Sequence, residues 1–370
     1  MLTYQFRLYP NQEQIQELFR QLGCHRWLYN QMLACQKAHW ELDRFDYNFF
    51  KQSKLLTKMR HQGEPRVTTI NRSSASQTLA RLKKAYENFY RRCKQGYNKD
   101  EGPGYPKFKG RNRFDSITFV NKNGARLKDG RLYIQYMPGT IKIRLHRPIE
   151  GNIKIFTVKK KADHWYLNIV TDHVVKEILP TTGIDVGIDL GITHLVATSD
   201  GQFFPNPKHL NHSQKKLRRL QRHISRCKKG SNRRKKAVLQ LQRLHMKITN
   251  QRSDTVCKIA CQLTDQYDNI FMEDLQVKNM AKNSKLSKSI ADASWNTLTN
   301  RLEVKALATG RTALKVDPKN TSQICSGCGE IVKKDLSVRT HKCDCGLTLD
   351  RDVNAALNIK GRGYRLQGAT

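Results

Sequence analysis

The sequence predicts a multidomain α/β protein, and three patterns carry that prediction. Near the N-terminus, apolar residues recur at helical spacing, with Ile15, Leu18, Phe19 and Leu22 on one stripe and Leu79, Leu82, Tyr86 and Phe89 on a later one. Between residues 117 and 170 the pattern changes to short alternating runs separated by turns, the signature of a small barrel. Beyond residue 184, two apolar strand patterns each end in acids, and a segment with paired cysteines follows. At 370 residues the chain is too long for one small core and suggests two to three domains.

Composition narrows the partners. The chain carries 68 Lys and Arg against 31 Asp and Glu, a formal net charge of +37. Such a balance suits a polyanion, most simply nucleic acid. An anionic membrane surface fits less well, because no basic helix pattern here carries a broad apolar face with Trp or Phe. No signal peptide, transit segment or membrane-length apolar run is visible. Six of the ten cysteines, Cys24, Cys35, Cys93, Cys227, Cys257 and Cys261, show no framework spacing, so a reducing, cytosolic compartment is expected.

The elements follow in order. Met1 to Leu8 alternates as a strand, and Pro10-Asn11 starts the first helix, whose apolar face continues through Trp27, Leu28, Met32 and Leu33. The later stripe leaves Arg81, Lys83, Lys84, Arg91 and Arg92 on its outer faces. Residues 102–113 interleave aromatics with cations. Tyr105, Lys107, Phe108 and Lys109 suit either a hinge or a loop lying along a phosphate backbone. Five short strands follow, around residues 117–119, 132–134, 141–145, 153–155 and 165–170.

Residues 205–252 are the most cationic stretch. Lys208 to Arg252 contains sixteen Lys or Arg and no acid. Leu217, Leu220 and Ile224 form one helical stripe and Leu241, Leu244 and Ile248 another, broken at Gly230-Ser231-Asn232 into a hairpin. A merely solvated hairpin mixes charge signs, so Arg218, Arg219, Arg222, Arg233, Arg234, Lys235 and Lys236 are candidate nucleic-acid contacts. Further helices are expected at 256–268 and 294–308, and a strand at 313–316. The end of the chain, from Gly361, shows no pattern.

Two motifs carry metal chemistry. Cys325-Ser-Gly-Cys328 and Cys343-Asp-Cys345 place four thiols at two tight turns with 14 residues between the pairs, which suits one tetrahedral structural zinc. Gly329 and Gly346 let each knuckle curl; the second pair is C-x-C rather than C-x-x-C. The other motif is dispersed. Asp189 stands in an apolar strand before Gly191, Glu273 closes the strand pattern Asn269 to Met272, and Asp350 and Asp352 open an Ala-rich helix. Each alone has an ordinary reading as a solvated strand end or an N-cap. Together they form a set of dispersed carboxylates of the kind that holds two hard cations for phosphodiester cleavage. No Ser-His-Asp or Cys-His arrangement is evident.

Six motifs then make the sequence similar to a known family. They are FRLYPNQEQ (6–14), GYPKFKGRNRF (104–114), GIDLGITHLVATSDG (187–201), IFMEDLQVKNM (270–280), VDPKNTSQICSGCG (316–329) and CGLTLDRDVNAALNI (345–359). In this order they resemble TnpB, the transposon-encoded RNA-guided DNA nucleases related to the miniature type V CRISPR effectors, over nearly the whole chain. The resemblance implies a helical recognition lobe at 9–111 and a small β-barrel wedge domain at 1–8 and 112–182. It implies a split RuvC, RNase H-like nuclease domain at 183–318 and 347–362 that includes the basic hairpin, an inserted zinc ribbon at 319–346, and a tail at 363–370. It also implies an acidic triad of Asp189, Glu273 and Asp352 holding two Mg2+. Asp352 is preferred over Asp350 because the family pattern puts the ligand two residues before the Asn-Ala-Ala. The expected zinc ligands are Cys325, Cys328, Cys343 and Cys345. The expected partners are a guide RNA and double-stranded target DNA next to a short flanking motif, with no membrane, in a prokaryotic cytoplasm at the nucleoid; the oligomeric state is left open. Alternatives on the same scaffold are a catalytically silent RNA-guided repressor, which should have lost one of the acids, and a CRISPR-associated miniature effector.

Overall fold

The computed structural model describes residues 2–43, 48–96, 102–172, 178–280, 282–284, 286–335 and 338–368. The chain forms two compact units, residues 1–174 and 175–370.

The first unit begins with β1 (Leu2–Tyr9), which buries Tyr4, Phe6 and Leu8 by simple alternation. Pro10 cannot continue the ladder, and Asn11 caps the next helix. Its Oδ1 accepts from Gln14 N at 2.8 Å while Gln14 Oε1 accepts from Asn11 N at 3.1 Å, a reciprocal capping box. The helices are α1 (Gln12–Asp43), α2 (Phe49–His61), the single turn α3 (Pro65–Thr68) and α4 (Arg72–Gln95). Strands β2 (Ser116–Asn121), β3 (Gly124–Lys128), β4 (Arg131–Ile134), β5 (Ile141–Arg144), β6 (Ile153–Lys161) and β7 (His164–Thr171) follow. With β1 they close a barrel in the order β1-β5-β4-β3-β2-β6-β7. The barrel has one strand beyond those read from the sequence: β3, with only Ala125 buried in a short cationic run, shows too little alternation to be seen. Helices and barrel share one continuous core, in which Leu18, Leu28 and Leu79 join Phe6, Phe119, Phe156 and Leu167. The ranges 9–111 and 112–172 are therefore not separately packed.

The expected wedge range also overruns the barrel. Residues 173–177 lie outside the described residues, and residues 178–183 are tied into the second unit. Leu179 N donates to Thr309 O at 3.1 Å, and the amides of Thr182 and Gly183 donate to the carboxylate of Asp268.

The second unit is built on β8 (Asp185–Asp189), β9 (His194–Thr198), β10 (Phe203–Pro205), β11 (Asn269–Glu273) and β12 (Thr312–Val316). Their order is β10-β9-β8-β11-β12, with the first three antiparallel and the last two added parallel to β8, an RNase H-like sheet. Helices α5 (His209–Arg226) and α6 (Asn232–Gln266) form the basic hairpin. The short α7 (Val277–Met280) and α8 (Ser287–Ala293) precede α9 (Trp295–Thr309). Strands β13 (Thr340–Lys342) and β14 (Thr348–Asp350) make a small ribbon, and α10 (Arg351–Gln367) completes the unit.

One expectation about these helices is met and extended, and one is corrected. Residues 256–266 are helical as expected, and they continue α6, which runs unbroken from the hairpin turn to Gln266, because no Gly or Pro interrupts residues 253–256. The tail expected from residue 363 is mostly helix, since α10 extends through Gln367; residues 369–370 lie outside the described residues. Gly361 and Gly363 suggest a stop, yet Gly363 lies flat on the Phe271 ring, where any Cβ would overlap the ring carbons. Tyr364 adds an edge contact to the same ring at 5.5 Å.

Candidate active site and metal centre

The carboxylates converge because of strand register. In the parallel pair β8–β11, Ile188 is the partner of Met272, so Asp189 and Glu273 stand side by side at the carboxyl end of the sheet. That edge is where open α/β sheets place their ligands. Helix α10 crosses directly over β8, and Gly187 permits the crossing: a Cβ there would overlap Ala356 O. The crossing brings the first turn of α10, and with it Asp352, to the same edge.

The three acids differ in surroundings. Glu273 and Asp352 are buried, 7% and 8% exposed, and Asp189 is half-buried. Burial, then the charges of Glu273 and Asp352, push the Asp189 carboxyl well above its usual range. Asp189 therefore lies within reach of the charges of both other acids. Burial also raises Glu273, against an opposing hydrogen bond from Thr321 Oγ1 at 2.5 Å and the charge of Arg362. Asp352 faces two guanidinium groups, Arg351 at 3.3 Å and Arg339 at 3.5 Å; Arg339 also donates to Thr193 Oγ1 at 2.9 Å. Asp350 does different work. Its Oδ1 accepts from Asp352 N at 2.8 Å and Val353 N at 3.3 Å, the side-chain cap of α10.

The four cysteines meet nearby in sequence and in space. The Sγ atoms of Cys325, Cys328, Cys343 and Cys345 all lie within 4.8 Å of one another. The Cys325–Cys345 and Cys328–Cys343 separations are both 3.6 Å. Four thiolates around a zinc at about 2.3 Å lie about 3.8 Å apart, so the donor set fits that ion. The shorter C-x-C spacing is accommodated, with Gly329 and Gly346 both at positive φ (85° and 90°) in the knuckles.

The candidate nucleic-acid contacts separate into two groups. Arg218, Arg219, Arg222, Arg233, Lys235 and Lys236 are exposed along the hairpin, whose seam buries Leu217, Leu244 and Ile248 with Leu220 and Leu241 packed against them. Arg234 is used internally: its Nη1 donates to Ile224 O at 2.5 Å, closing the end of α5. In the 102–113 loop, Lys107 is exposed. Tyr105, a candidate contact in that loop, is packed: its hydroxyl bonds Tyr86 at 2.7 Å and its ring meets the Tyr86 and Phe89 rings. Lys109 is held through its backbone by Asn30, with its ammonium over the Tyr29 ring.

Sequence reasoning passed over Thr321, Arg339, Asn354, Asn358 and Arg362. The signal available for three of them was periodic: Asn354, Asn358 and Arg362 recur every four residues along one helix.

Comparisons with known proteins bear on the whole chain. Residues 168–284 match the OrfB_IS605 family, described as "Probable transposase"; residues 295–359 match the Cas12f1-like TNB domain, and residues 1–49 a helix-turn-helix domain of the OrfB_IS605 group. A "Putative RNA-guided DNA endonuclease" of Streptomyces pristinaespiralis is 32% identical over 98% of this chain and 89% of its own length. The "Putative RNA-guided DNA endonuclease InsQ" of Escherichia coli K12 is 31% identical over 98% of this chain and 92% of its own. Among solved structures, a Cas12f1–sgRNA–target DNA complex aligns with 97% of this chain and 98% of its own at 20% identity and a TM-score of 0.37. Among the described residues, no helix is long and apolar enough to cross a membrane.

Proposed function

The chain belongs to the TnpB family of transposon-encoded RNA-guided DNA nucleases, and on that premise we propose that it cuts double-stranded DNA matched by its guide RNA, next to a short flanking motif. The observation that carries the reading is the convergence of Asp189, Glu273 and Asp352, 84 and 79 residues apart in sequence, on one sheet edge. Carboxylate oxygens gathered at one sheet edge suit hard divalent cations, and Asp189, Glu273 and Asp352 are the residues that would hold two Mg2+. When bound, the two ions supply the charge that activates water and stabilises the departing oxygen in an in-line displacement.

The protein groups do the rest. Asp350 fixes the first turn of α10 and so aims Asp352. The Arg339 and Arg351 guanidinium groups offset negative charge beside Asp352. Cys325, Cys328, Cys343 and Cys345 hold one structural zinc that stiffens the segment leading into α10. The exposed hairpin cations and Lys107 contact phosphates, and the enzyme works in the cytoplasm at the nucleoid, where its DNA lies. A silent repressor on this scaffold is disfavoured because all three acids are kept and brought together.

The test is alanine at each of four acids. Asp189→Ala, Glu273→Ala and Asp352→Ala should abolish cleavage while guided DNA binding survives. Asp350→Ala should cost about 1 kcal/mol of stability and slow cleavage without abolishing it. A dead Asp350→Ala beside an active Asp352→Ala would reverse the assignment of the third ligand.

A further inference from the structure

Helix α10 presents Asn354, Asn358 and Arg362 on one face, and all three hold the main chain of a single loop, residues 317–326. Asn354 Nδ2 donates to Ile324 O at 2.7 Å and its Oδ1 accepts from Ser326 N at 2.9 Å. Asn358 Nδ2 donates to Thr321 O at 2.9 Å and Ile324 O at 2.7 Å. Arg362 donates to the carbonyls of Asp317 at 2.5 Å and Lys319 at 2.7 Å. Side chains that grip backbone groups fix the register of the loop. What that register delivers is Thr321, 4% exposed, whose hydroxyl donates to Glu273 Oε1 at 2.5 Å.

We propose that Thr321 is a positioning residue for Glu273: it holds the carboxylate by one oxygen and so presents the other to a divalent cation. The inference deepens the reading of Glu273 as a metal ligand and rests on it. A glutamate side chain carries several rotatable bonds, and a carboxylate that swings misplaces a ligand atom by more than a metal site tolerates. A hydroxyl has one proton to give. Given to Oε1 in a short, charge-assisted bond, it fixes the carboxylate plane and leaves the Oε2 lone pairs for coordination. Thr321 has a second acceptor in Pro318 O at 3.3 Å, the longer and weaker contact. If the hydroxyl served only the loop, that carbonyl would be its nearer partner.

Thr321→Val removes the donor at nearly constant volume, and Thr321→Ser keeps it. The full-length protein is titrated with Mn2+ by electron paramagnetic resonance. The RNA-loaded protein, purified with the RNA it carries, is assayed for single-turnover cleavage of a matched duplex across Mg2+ concentrations. Thr321→Val should weaken Mn2+ binding and raise the Mg2+ needed for half-maximal cleavage by about 10- to 100-fold, the usual range for a lost outer-sphere partner. Target binding should be unchanged, and Thr321→Ser should stay close to the parent in both readouts. A Thr321→Val protein with parental Mn2+ affinity and Mg2+ requirement overturns the proposal. So does a Thr321→Ser protein as impaired as the valine variant, since that assigns the effect to the methyl group. Glu273→Gln is the separating arm. If it keeps Mn2+ affinity and cleavage, the metal reading of Glu273 itself fails. If it is inactive while Thr321→Val behaves as the parent, only the positioning role is lost.

Discussion

At the scale of single residues, the direction a side chain takes decides what it holds. Asp189 and Glu273 each have an ordinary reading as the solvated end of an apolar strand, and it is strand register that stands them side by side. Asp352 could not be separated from Asp350 by spacing, since both open the same helix; their difference is one of direction, Asp350 turned back to the helix amides and Asp352 buried toward the other acids. Tyr105 was ambiguous because an aromatic among lysines suits a loop lying along a phosphate backbone as well as packing on Tyr86. His25 carried no signal at all. It is fully buried, with its ring nitrogens on Thr78 Oγ1 at 2.8 Å and Ser74 Oγ at 3.2 Å. Burial, then the charges of Arg81 and Arg60, push its imidazole down to about 3. The folded state therefore keeps His25 neutral, whereas the unfolded chain takes up a proton near pH 6.5. Its contribution is present in full above pH 6.5 and is lost as the pH falls toward 3, at roughly 1.4 kcal/mol per pH unit. Paired melting curves should show the parent losing stability over this window more steeply than His25→Gln. Parallel curves would mean another group sets the acid limit.

Elements were legible where their punctuation was local. The hairpin turn at Gly230 and the two leucine stripes were readable, and Leu217, Leu244 and Ile248 indeed form its seam. The continuity of α6 and the end of α10 were not readable. One helix continues through a change of charge, which breaks no hydrogen bond, and the other continues through two glycines, one of which a ring contact makes necessary. The barrel strand β3 escaped because it buries only one side chain. The hairpin also divides its cations. Arg233, Lys235 and Lys236 are exposed, whereas Arg234 closes the end of α5. Replacing the first three by Gln should weaken RNA and DNA binding regardless of sequence. It should also flatten the slope of log affinity against log salt by roughly 2 to 3. Arg234→Gln alone should act chiefly on stability, by about 1 kcal/mol, with little change of slope. Affinity titrations at several salt concentrations check both, and an unchanged slope for the triple variant would mean that this face is merely solvated.

For the molecule as a whole, the +37 charge was the clearest signal in the sequence and the least specific. It says that a polyanion neutralises the protein, and electrostatics of that kind do not discriminate one sequence from another. Nothing in the composition distinguishes a structured RNA from the DNA it would help to find; the ordered motifs, and then the relatives, supply that distinction. If a guide RNA is the neutralising partner, specificity should travel with the RNA while catalysis stays with the protein. Protein stripped of RNA should therefore bind DNA without preference and cut little. Adding the RNA should give Mg2+-dependent cleavage of one matching duplex beside a fixed short motif, and changing only the guide end should move the cut. Two guides and two plasmids, tested in all four combinations, check this directly. Cleavage should occur in the two matched pairs and be lost in both when Glu273 is replaced by Ala. Cutting in the mismatched pairs, or equally without RNA, would reject RNA guidance and leave a basic nuclease whose acidic site works on whatever duplex its charge attracts.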